Sequence, residues 1–111
     1  MAFDEAVAGR VRDVLGEQQG ITEKKMFGGI AFLLDGNMCV GVHGDELIVR
    51  LPPDETDEAL RDPHVRLFDL TGRPMKGWVL VAPAGVATDA DLRAWADRSV
   101  AFAGSLPAKK S

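Results

Sequence analysis

The stretch Lys25-Met26-Phe27-Gly28-Gly29-Ile30-Ala31-Phe32-Leu33-Leu34 is apolar after its first residue and carries two adjacent glycines. Glycine loses the most backbone freedom on folding and offers no side chain to pack, so a glycine pair inside a strand needs a reason. As one strand, the run puts Met26, Ile30, Phe32 and Leu34 on one face and Phe27, Ala31 and Leu33 on the other. Apolar residues on both faces predict a strand that is central or covered twice. A phosphate-cradling loop is disfavoured, because such loops set their glycines between a strand and a helix N-terminus, whereas here more strand follows. Two readings remain: a β-bulge, or a spot where another backbone or an aromatic ring, Trp78 or Trp95, lies flat against the strand.

Outward from this run, Asp35-Gly36 is a two-residue hairpin signal. Asn37 to His43 then alternates, with Met38, Val40 and Val42 facing one way and Cys39, Gly41 and His43 the other. Gly44-Asp45 marks the next turn, and Glu46 to Leu51 completes a three-stranded antiparallel meander that Pro52-Pro53 stops. On the N-terminal side, Phe3, Val7, Val11, Val14 and Leu15 recur at helical spacing up to Gly16 or Gly20. Beyond the meander, Asp54 to Arg61 reads as a short helix with an acidic first turn, ended by Asp62-Pro63. Val65 to Leu70 and Met75 to Ala82 read as two more strands. Thr88 is an N-cap for a last helix whose buried stripe is Leu92, Trp95, Ala96, Val100 and Ala103. The order α-β-β-β-α-β-β-α predicts an α+β fold: an antiparallel five-stranded sheet with helices mainly on one face.

The 111 residues form one domain, residues 1–111, with Ala108 to Ser111 as a frayed tail. The apolar fraction of 46% and the charged fraction of 27% are those of an ordinary globular protein. A net charge of −4 argues against direct nucleic-acid binding, whose affinity comes largely from neutralising phosphates. A lone Cys39 and an acidic start without a signal-peptide pattern suit a cytoplasmic protein. No apolar run approaches the roughly 20 residues that span a bilayer, so no membrane association is expected.

Few residues suggest chemistry. Cys39 and His43 are four apart on a strand, about 13 Å at roughly 3.3 Å per residue, too far to share a metal or to act as nucleophile and base. Ser99 and Ser105 lie in or beside the last helix, without the strand-to-helix elbow of a nucleophilic serine. The acidic group from Asp54 to Glu58 is explained by the helix dipole. Lys24, Lys25, Arg50, Arg73 and Lys76, with Trp78 as an aromatic floor, form a candidate positive patch for an acidic partner. No residue is assigned to catalysis, a metal or a cofactor.

Lys25 to Gly29, Asp35-Gly36-Asn37-Met38, Glu46-Leu47-Ile48-Val49-Arg50 and Pro74-Met75-Lys76-Gly77-Trp78-Val79-Leu80-Val81 together resemble the N-terminal domain of the TfoX/Sxy family. The resemblance covers nearly the whole chain. It implies a compact α/β domain with an antiparallel sheet and a regulatory setting, since the namesake proteins regulate natural competence alongside a cyclic-AMP receptor protein. Those regulators carry a second, helical C-terminal domain, and this chain ends at Ser111.

The expected function is a noncatalytic regulatory or protein-interaction module whose sheet face or edge binds a partner, either a transcription-related protein or a second copy of the chain. Its motif residues are Lys25, Met26, Phe27, Gly28, Gly29, Arg50, Lys76 and Trp78. The alternative is a small-ligand-binding protein or minor enzyme with a pocket near Gly28, Gly29 and Trp78.

Overall fold

The structure, a computed structural model, describes residues 3–16, 18–26, 28–68 and 76–107, with Met26 described by its backbone. Helix α1 (Glu5–Leu15) is opened by the Asp4 carboxylate, which accepts from the Ala6 N–H at 2.8 Å, and it stops at Gly16. Four strands follow in succession: β1 (Ile21–Met26), β2 (Gly29–Leu34), β3 (Asn37–His43) and β4 (Glu46–Arg50). Pro53–Glu55 is a 3₁₀ turn running into the one-turn helix α2 (Thr56–Ala59). Next come β5 (Val65–Leu67), β6 (Trp78–Val81) and a second 3₁₀ turn, Pro83–Val86. The last helix is α3 (Asp89–Gly104), capped by the Thr88 hydroxyl, which accepts from the Asp91 N–H at 3.1 Å.

The α+β class and the antiparallel sheet are as expected, but the sheet has six strands rather than five, in the order β1-β2-β3-β4-β6-β5. The extra strand comes from the glycine pair. Met26 pairs with Gly29, so the run from Lys25 to Leu34 is a hairpin corner rather than one strand. Gly28 sits at φ +71°, a conformation that glycine adopts without steric cost. Gly29 opens β2, and a Cβ there would run into the Val42 carbonyl of β3. Backbone therefore lies against this glycine, and neither tryptophan does so. Phe27 lies outside the described residues. Strand β1 escaped detection because it is an edge strand: Thr22, Glu23, Lys24 and Lys25 are exposed, so it lacks the alternation that burial of one face imposes.

The β2–β3 register slips between Phe32 and Leu33: Phe32 pairs with Val40 and Leu33 with Met38. Cys39 is thus the extra residue of a β-bulge. The bulge reverses the facing expected of β3, so Cys39 joins Val40 and Val42 on one side while Met38 moves to the other.

Two apolar clusters lie on the two faces. The larger holds Phe32, Val40, Val42, Leu47, Val49, Val79 and Val81 together with Val11 of α1, Ala59 of α2 and Leu92, Trp95 and Ala96 of α3. The smaller holds Ala31, Met38, Ile48, Phe68 and Leu80, with half-buried Leu33 and Trp78 at its margin. No described helical residue belongs to the smaller cluster, so the helices back one face only. The expected strand extensions at Asp69, Leu70 and Met75, the Thr71-to-Pro74 connector and the tail from Ala108 lie outside the described residues.

Candidate interaction site

The second face of the sheet is buried too, with Ile48, Phe68 and Leu80 at most 1% exposed, and half-buried Trp78 stands at its edge, where the last residue of β4, Arg50, pairs with the first residue of β6, Trp78. Trp78 is placed there by the residue before it. Gly77 adopts φ +93°, its carbonyl accepts from the Leu51 N–H at 2.7 Å and its own N–H donates to the Thr56 hydroxyl at 2.8 Å. A side chain at Gly77 would be strained at that φ and would meet the Leu51 carbonyl at 3.0 Å. The Gly77-Trp78 pair is therefore one device: the glycine lets the chain enter the sheet, and the tryptophan then stands beside Arg50.

The Arg50 guanidinium carbon lies over the Trp78 ring at 5.0 Å and over the Phe102 ring of α3 at 5.4 Å. Both contacts fall within cation–π range. One Nη donates to the Met38 carbonyl at 3.4 Å. Phe68 tilts against Trp78 at 6.2 Å between ring centroids. A shallow depression lined by Pro52, Glu55, Arg98, Ala101, Phe102 and Ser105 adjoins this corner. In it Arg98 pairs with Glu55 at 3.0 Å and Glu58 at 3.5 Å, so two of the acidic helix-start residues serve a specific cation.

The candidate residues are brought together only in part. Arg50 and Trp78 meet, and exposed Lys76 lies two residues from Trp78. Lys24 and Lys25 sit on β1, three strands from β4, or about 14 Å at roughly 4.8 Å per strand, so they do not extend the patch. Arg73 lies outside the described residues. Gly28 and Gly29 are not brought together with Trp78: the hairpin corner is at the Val42 end of the sheet and Trp78 at the opposite, Arg50 end.

Cys39 and His43 also part company. Cys39 is buried towards the helices and donates to the Phe32 carbonyl at 3.2 Å, whereas half-buried His43 follows Val42 and pairs with Glu46. Burial pushes the Cys39 thiol up to about 11, which keeps it protonated and unreactive near neutrality. Among the described residues no group of three His, Cys, Asp or Glu is placed to hold a metal.

Two residues of this corner were missed, Phe102 and Ser99. Ser99 is fully buried, and its hydroxyl bridges the Cys39 carbonyl and the Arg50 N–H. A signal existed: Leu92, Ala96, Ser99 and Ala103 follow one helical stripe, and a hydroxyl in such a stripe needs a partner. Phe102, three residues further along α3, carried no comparable signal, because its target is a side chain from the sheet.

One antiparallel sheet, with the described helices on one face, a second buried apolar cluster on the other and an arginine–aromatic corner, defines a small α+β domain. The model of the TfoX N-terminal domain matches residues 13–103, and the chain belongs to that family. Comparison with curated proteins and with solved structures gives no match. No described helix is long and apolar enough to cross a membrane.

Proposed function

We propose that this TfoX N-terminal domain acts as a noncatalytic regulatory module that binds a partner protein through the corner where Arg50 of β4 meets Trp78 of β6. The observation that carries the reading is the grouping of half-buried Trp78 and Leu33 with an arginine held in place by two rings. Tryptophan and arginine are the residues most enriched at the energetic centres of protein interfaces, where a large ring supplies buried area and a guanidinium supplies directed donors. The partner is a protein rather than nucleic acid, in keeping with the charge of −4.

The test compares the full chain with a Leu33→Asp/Trp78→Ala variant as bait in the source cell, after circular dichroism has shown both to be folded. The expected result is a defined protein retained by the wild type and lost with the variant. Equal retention by both would place the interface elsewhere, and no retained protein would remove the reading. Sedimentation at high concentration separates a second copy of the chain from a different partner.

A further inference from the structure

We propose that Arg50 is a carboxylate receptor, taking an aspartate or glutamate side chain from an acidic, apolar-flanked segment of the partner. The proposal rests on the interaction role just described and specifies the chemistry recognised. Arg10, Arg12, Arg66 and Arg98 each pair with a carboxylate of this chain, at 3.4, 2.9, 2.8 and 3.0 Å. Arg50 is half-buried and has no carboxylate partner among the described residues. Its contacts are two aromatic rings and one peptide carbonyl, so its charge is held but not neutralised.

A guanidinium has five N–H donors, and Arg50 uses one of them on the Met38 carbonyl. Aromatic faces attract the cation but accept little from its N–H edge, which leaves donors in the fork arrangement that matches a carboxylate. Because the rings already fix the side chain, much of the rotamer entropy that binding would cost is lost before the partner arrives. Glu55 borders the adjoining depression and the chain is acidic as a whole, which disfavours a doubly charged phosphate relative to a single carboxylate. Trp78 and Phe102, which flank the guanidinium and are each half-buried, offer apolar surface to residues on either side of that carboxylate.

The test is a titration of the isotopically labelled full chain, followed at the Arg50 Nε–H and Trp78 indole N–H resonances. The probes are a capped pentapeptide alternating leucine and glutamate, its glutamine counterpart, and inorganic phosphate. The expected result is saturable movement of both resonances by the glutamate peptide and binding at least about ten-fold weaker for the glutamine peptide, as for loss of a charge-assisted hydrogen bond. Arg50→Gln, checked for an unchanged fold by its amide spectrum, should abolish the response. Equal binding of the two peptides, an Arg50 resonance that does not move, or tighter binding of phosphate would each overturn the proposal. The peptide comparison uses the unaltered protein, so it reads Arg50 even if the variant fails to fold. A partner captured through Leu33 and Trp78 but indifferent to Arg50→Gln would likewise sink the receptor role while leaving the interaction module standing.

Discussion

The Ser99 hydroxyl of α3 donates to the Cys39 carbonyl and accepts from the Arg50 N–H at 3.3 Å. A bulged residue leaves the strand ladder with unpaired backbone groups, and here a helix side chain pairs them inside the core. The same hydroxyl ties the backbone of Arg50 to the helix that carries Phe102, so the bulge and the candidate site share one support.

Replacing Ser99 by alanine should therefore leave a buried carbonyl and a buried N–H without partners. The expected loss is about 1–3 kcal/mol in urea unfolding, with the denaturant slope unchanged. A loss below about 0.5 kcal/mol, the size of an ordinary surface change, would show that water or a shifted backbone replaces the hydroxyl.

The two glycines of the hairpin corner should differ sharply in tolerance. Gly28→Asn places at φ +71° a residue that tolerates the left-handed region, and it should cost about 1 kcal/mol or less. Gly29→Ala drives a methyl group into the Val42 carbonyl, a backbone atom that can yield only if the β2–β3 pairing opens, and should cost about 1–3 kcal/mol or more. Thermal unfolding of the two variants side by side checks this, and equal effects would contradict the geometry.

Stability should fall in mild alkali because of Cys39. Burial raises the folded-state value to about 11, against about 8.5 for an unfolded thiol. Between those values the unfolded chain has lost the proton and the folded one keeps it, so the contribution is whole below about pH 8.5 and is lost as pH rises towards 11. The slope is about 1.4 kcal/mol per pH unit at most. Denaturation of the wild type and Cys39→Ala at pH 8 and pH 10 isolates it, because other titrating groups are common to both. Parallel behaviour of the two proteins would rule the effect out.

Thr56→Val should disturb Trp78 without touching it. The substitution removes the acceptor of the Gly77 N–H, which fixes the entry of the chain into β6. We expect about 1–3 kcal/mol of destabilisation together with a change in the near-ultraviolet circular dichroism of the tryptophans. Thr56→Ser, which keeps the hydroxyl, should retain the wild-type spectrum; a change as large as that of Thr56→Val would show that the hydroxyl is not what fixes Trp78.

Much of the fold was legible in local pattern. The Asp35-Gly36 turn, the Thr88 cap and the apolar stripe of α3 all depend on neighbours within a few residues, and each is present as expected. Strand β1 was illegible because an exposed edge strand is held by backbone pairing and carries no apolar pattern. Arg50 and Trp78 were singled out as candidates, but only the β4–β6 pairing brings them together across 28 positions of sequence.

By itself the sequence determined the α+β class, the family and the presence of a glycine pair that no ordinary strand would carry. The tertiary structure decided what that pair does, because the left-handed φ of Gly28 and the approach of the Val42 carbonyl to Gly29 exist only once β1, β2 and β3 are paired. It likewise decided which way Cys39 faces, since a one-residue register slip reverses facing without altering the apolar count of the strand. Local periodicity constrains an element, whereas contacts between elements depend on their registers, and a single strand does not encode those.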